Sequence, residues 1–114
     1  MSRREKEAAD RIEIDRLIHE PARLLIMAHL YVVESADYVF LMQRVGLTWG
    51  NLSSHLTKLD TAGYVELVKE FVNRKPHTMV RLTAHGRTAF NAYRKQMRSL
   101  FDDLPGKEVT AGDD

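Results

Sequence analysis

At Gly63 the spacing of apolar residues changes, and no other feature of the chain limits its fold as much. Upstream, Leu52, Leu56 and Leu59 recur at i, i+4 and i+7, the repeat of one helix face. Downstream, Val65, Leu67 and Phe71 alternate with polar residues over most of 64–71. Val80 and Leu82 do the same within 77–82, the repeat of strands. Between these runs lies Asn73-Arg74-Lys75-Pro76, a polar turn with two adjacent cations. The sequence therefore predicts a helix, then at once a β-hairpin over 64–82 with a basic tip.

What precedes Gly63 is helical by the same test. Residues 2–19 carry a thin stripe of Ala8, Ala9, Ile12 and Leu17, with Ser2 and Glu5 spaced as a capping box. Glu20-Pro21 breaks that helix, and Pro21 suits the first turn of the next. Residues 21–34 are apolar nearly all round, which predicts a buried central helix. Ser35-Ala36-Asp37 offers caps for a short helix over about 37–45, with Leu41 and Val45 one turn apart. Gly46 ends it, and Thr48 caps a helix over about 49–61. Residues 37–62 thus form two helices joined by a very short turn, a helix-turn-helix. Thr83 caps a last helix over 84–102, with Phe90, Tyr93, Met97, Leu100 and Phe101 on one side. Residues 103–114 form an acidic tail.

Net charge separates these segments where the whole-chain value hides them. The 114 residues sum to +1, yet residues 41–98 hold ten basic and three acidic side chains, while both ends are net acidic. A basic block on a helix-turn-helix and hairpin suits a polyanion. Arg44, Arg74, Lys75 and His77 are candidate phosphate contacts within it. On the 49–61 helix, turning the leucines inward leaves Asn51, Ser54, Thr57 and Lys58 outward or flanking, with Ser53 beside them. Thr48, Asn51, Ser53 and Ser54, near the helix start, can reach base edges, and Lys58 suits phosphate. Trp49 falls at an intermediate angle and can either pack into the turn or face outward.

A helix-turn-helix followed directly by a basic hairpin is a winged helix: mainly α with a small β-hairpin. The chain also resembles a known family. His19-Glu20-Pro21-Ala22-Arg23-Leu24, Gly46-Leu47-Thr48, Leu52-Ser53-Ser54-His55-Leu56-Thr57-Lys58-Leu59, Ala62-Gly63-Tyr64-Val65 and Arg81-Leu82-Thr83-Ala84-His85-Gly86-Arg87 look like small winged-helix transcriptional regulators of the MarR/ArsR type. The resemblance covers about residues 19–98. It implies a single domain over 1–102 that binds double-stranded DNA as a homodimer. The helix before Gly63 would enter the major groove, the wing would touch backbone or minor groove, and the terminal helices would pair. Ile12, Leu17, Phe90, Tyr93, Met97, Leu100 and Phe101 are the expected dimer residues. Repression at a palindromic site is the expected role, since no separate activating domain is visible.

Other classes fit less well. No phosphate-binding, nucleophile-elbow or metalloprotease motif occurs, so no catalytic residue is expected. Without cysteine there is no thiolate chemistry, and the five histidines form no close pair, so neither cofactor nor metal is expected. Apolar runs such as Leu24–Ala28 and Val39–Met42 fall far short of the ~20 residues that span a bilayer. No apolar stretch follows Arg3-Arg4, so a cytoplasmic location is expected. Two rival readings remain: a winged helix that binds protein instead of DNA, and a sensor of the same fold with an unidentified small-molecule effector.

Overall fold

Glu20 and Pro21 start the first helix of the described residues. The computed structural model describes residues 13–105, and helix α1 (Pro21–Val33) opens with the Glu20 carboxylate accepting from the Arg23 backbone N–H at 2.8 Å. Its Ile26, Met27 and Leu30 are fully buried. Strand β1 (Ser35–Asp37), helix α2 (Tyr38–Val45) and helix α3 (Trp49–Thr61) follow. The hairpin is β2 (Val65–Val72) and β3 (Lys75–Leu82), and α4 (Ala84–Asp102) closes the described chain. Leu41, Leu52, Leu56, Leu59, Val65 and Val80 complete a core in which α1 packs against α2, α3, α4 and β3. Each such side chain, fully buried, contributes roughly 1.5–3 kcal/mol by leaving water.

Four expectations change. Ser35–Asp37 reads in the sequence as a capping segment alone, but it is also a strand. It pairs antiparallel with β3 through Ser35↔Arg81, Ala36↔Val80 and Asp37↔Met79, giving a three-stranded sheet of order β1-β3-β2. Three residues carry no readable period, so only the partner strand reveals them. The wing turn is tighter than the four residues 73–76. Lys75 and Pro76 belong to β3, opposite Val72 and Phe71, and only Asn73 and Arg74 turn the chain, with φ of 53° and 67°. Two successive left-handed residues make the type I′ turn that matches strand twist.

The expected helix over 2–19 does not extend through residues 13–20, which are irregular and turned. There Asp15 Oδ1 accepts from the backbone N–H of Leu17 and Ile18 at 2.9 and 3.2 Å, a local turn that competes with helix. Ile18 is fully buried beneath it. The Tyr64 hydroxyl donates to Asp15 Oδ2 at 2.5 Å, and burial, then this contact, push its pKa up to about 12. The remainder of that helix, including Ile12, lies outside the described residues, as does the tail beyond residue 105.

The dimer stripe also divides. Phe90 and Tyr93 are 6% and 5% exposed in a single chain, so they are core residues of that chain rather than free surface. Phe90 packs on the Tyr31 ring at 5.2 Å between centroids, and the Tyr93 hydroxyl hydrogen-bonds His19 Nδ1 at 2.8 Å. Leu17 and Met97 pack against the same core. The small winged core buries more of α4 than helix periodicity alone indicates, because α1 and the 13–20 segment both lie against it. Leu100 remains half-buried, and Phe101 is 62% exposed.

Candidate nucleic-acid interface

The turn of the helix-turn-helix is set by Gly46, whose φ of 75° caps α2. The Leu47 N–H returns to the Met42 carbonyl at 3.0 Å. Thr48 then caps α3, its Oγ1 accepting from the Asn51 N–H at 3.2 Å. Thr48 therefore has a structural task besides any contact with DNA. With Leu52, Leu56 and Leu59 turned inward, Gly50, Asn51, Ser54, Thr57 and Lys58 are exposed along one outer face. Thr57 Oγ1 donates to the Ser53 carbonyl at 2.9 Å, so its proton is engaged along the helix.

Trp49 is 57% exposed and is not core. Its ring lies against Tyr38, with centroids 4.1 Å apart. The buried Tyr38 also hydrogen-bonds the Ser53 hydroxyl and donates to the Trp49 carbonyl at 3.2 Å. Tyr38 thus braces the first turn of α3 from behind, and Ser53 faces partly toward it. Nothing in the sequence singles out Tyr38, because an apolar-run tyrosine announces burial but not where its hydroxyl points.

The wing carries its cations where the hairpin projects. Arg74 and Lys75 are exposed at the tip, and Lys69 and Arg81 are exposed along the strands. His77 is different. Its Nδ1 lies 2.7 Å from Asp37 Oδ2, while Asp37 Oδ1 accepts from the Val39 N–H at 2.7 Å as the cap of α2. One carboxylate therefore ties the wing to the helix-turn-helix, and His77 is an anchor of the wing more than a free phosphate contact. Arg44 is exposed on α2, its guanidinium 5.2 Å from the Phe40 ring centroid. Behind α3, Arg23 Nη1 donates to His55 Nδ1 at 3.1 Å. A guanidinium cannot accept, so His55 Nδ1 is the acceptor of this bond.

The Asp37 link has a pH consequence. The hydrogen bond to His77, followed by the backbone donors of Val39 and Phe40, holds its carboxyl below the usual range. The backbone donor of Arg23 does the same for Glu20. A lowered folded-state pKa contributes stability above the unfolded value, lost as pH falls through the folded one. Stability should therefore decline as pH drops below about 4. The decline should be shallower in Asp37→Asn, whose neutral cap no longer titrates. Urea midpoints at pH 5 and pH 3 for both proteins check this, and identical slopes would remove Asp37 from the account.

Among the described residues no group of three or more His, Asp or Glu converges to hold a metal ion, and no helix is long and apolar enough to cross a membrane. The exposed outer face of α3 and the cation-tipped wing are the two features that gather the expected contacts.

Known proteins share this fold. The winged helix DNA-binding domain family matches residues 22–101. The chain is 35% identical over 89 residues to the uncharacterized protein MJ0432 of Methanocaldococcus jannaschii, covering 78% of this chain and 97% of that one. A solved transcriptional regulator homologue from Pyrococcus horikoshii OT3 superposes with a TM-score of 0.78 at 28% identity, over 88% of this chain and 99% of that one. A MarR-family transcriptional regulator from Silicibacter pomeroyi has the same fold, with a TM-score of 0.57 at 18% identity, over 91% of this chain and 66% of that one. With most of its length matched and its helix-turn-helix and wing in the order that the family requires, this chain belongs to the winged helix DNA-binding domain family, with a MarR-type fold.

Proposed function

We propose that the protein is a sequence-specific regulator of transcription that binds duplex DNA as a homodimer and represses by occupying a palindromic site. The observation that carries this is the outer face of α3, with Asn51, Ser54 and Lys58 exposed, beside a wing tipped by Arg74 and Lys75. Short amide and hydroxyl side chains read base edges, and the cations draw the duplex in and clamp its backbone. Arg44, on the helix before the turn, adds a phosphate contact. Thr48 and Trp49 approach the groove at the start of α3, and Ser53 does so only from its flank. The exposed Phe101, with Leu100 beside it, continues into a dimer interface that brings two recognition helices about one DNA turn, ~34 Å, apart.

A gel shift on random duplex at low and high salt tests the reading. Binding should weaken steeply with salt, and Asn51→Ala should relax preference at one base position by about 1 kcal/mol while leaving random-duplex binding intact. Absence of salt-sensitive binding would assign the fold to protein recognition instead.

A further inference from the structure

The last helix carries a second basic surface that the recognition helix and wing do not use. Arg87, Asn91, Arg94 and Arg98 follow one another at four-, three- and four-residue steps, so they share one flank of α4, with Lys95 at its edge. The stripe runs for roughly 16 Å at 1.5 Å rise per residue. Leu100 falls on the opposite flank, and the exposed Phe101 borders the stripe one turn beyond Arg98. Among the described residues, the contacts within 4 Å between a basic side chain and a carboxylate are those of His55 and His77, and none involves this stripe.

Its cations are positioned by other means. The Arg87 and Arg94 guanidiniums lie 4.7 and 5.3 Å from the Tyr31 ring centroid. Arg94 Nη1 donates to the Tyr31 hydroxyl at 3.2 Å, and that hydroxyl donates to Asn91 Oδ1 at 2.8 Å. Asn91, Arg94, Lys95 and Arg98 line a recess of about 180 Å³. Guanidiniums held by an aromatic face and a hydroxyl keep their full charge, whereas a carboxylate partner would neutralise it. Alternating cations at helical spacing match a row of phosphates better than one small anion.

The stripe meets the base of the wing at Arg87, which shares a recess with Arg81, and its other cations follow along α4. Helix α1 packs against both α3 and α4. Helix α4 begins at the base of β3, on the order of 25 Å of strand from the wing tip. We propose that the basic flank of α4 binds the phosphate backbone of a second duplex segment, so that the protein joins two stretches of DNA. This rests on the DNA-binding reading above and adds a second contact to it.

The test uses the full chain, a short duplex long enough for one dimer, and a bead-bound duplex that captures a labelled free one. Arg94→Gln/Arg98→Gln should bind the short duplex as wild type does but capture about tenfold less labelled DNA at low salt, because two phosphate contacts are gone. Lys95→Gln/Arg98→Gln, which leaves Tyr31 and its partners intact, should show the same loss in smaller measure. Undiminished capture by both variants would overturn the proposal. So would a footprint that shortens on the same duplex, since that would place the stripe on the flank of the first site. Failure of wild type to bind even the short duplex would overturn the DNA reading itself.

Discussion

Gly86→Ala should destabilise the protein by about 3 kcal/mol or more, a large part of the 5–15 kcal/mol that holds a domain of this size. A Cβ there would lie 2.1 Å from the Tyr64 carbonyl oxygen, 2.8 Å from its carbon and 2.9 Å from Leu82 Cδ1. Two of these atoms are backbone. The same carbonyl accepts from the Thr83 N–H at 3.1 Å at the start of α4, so it cannot retreat without breaking that bond. Helix α4 would have to lift off the end of the sheet. Gly50 supplies the control. It is also helical, but a Cβ there meets nothing within 4 Å. Gly50→Ala should therefore raise stability by up to about 1 kcal/mol. Urea titrations of the two variants measure the contrast. Equal midpoints would mean that α4 does not seat on Tyr64 as described.

The second large effect separates stability from binding at a single residue. Arg74 adopts a φ of 67° in the wing turn, directly after Asn73 at 53°. Asn-Gly is the preferred pair for such a turn, and a side chain in the left-handed region costs roughly 1–2 kcal/mol. Arg74→Gly should thus stabilise the protein by about 1 kcal/mol. It should also weaken DNA binding roughly tenfold on every sequence and lower the slope of log affinity against log salt by about 0.9, one phosphate contact. A more stable variant with unchanged affinity and salt slope would deny the wing any part in DNA binding. The strain itself is an argument, because a turn selected for folding alone would place glycine at this position.

Helix boundaries were legible where sequence puts a strong local signal. Pro21, Gly46, Thr48 and Thr83 each act on the backbone within one turn of themselves, and the helices begin or end beside them. The leucine stripe of α3 likewise follows from local period and faces the core. Non-local pairings left no such mark. Strand β1 exists because β3 runs beside it, and residues 13–20 leave the helical path through Asp15, whose second oxygen takes the Tyr64 hydroxyl 49 positions away. The candidate site divides in the same way. Asn51, Ser54, Lys58, Arg74 and Lys75 were visible as exposed polar positions. Pairing of His77 with Asp37, and of Ser53 with Tyr38, depended on which elements came into contact.

By itself, then, the sequence determined the order of the helices and hairpin from Pro21 onward, the inward face of the recognition helix and the basic charge of residues 41–98. These follow from periodicity, capping and composition, which act over a few residues. Tertiary structure alone decided which apolar residues of α4 the single chain buries, which histidine anchors the wing, and that Arg87 and Arg94 meet over Tyr31. Each depends on groups brought together from distant parts of the chain, where burial and hydrogen-bond satisfaction select the partner and local propensity carries no information about it.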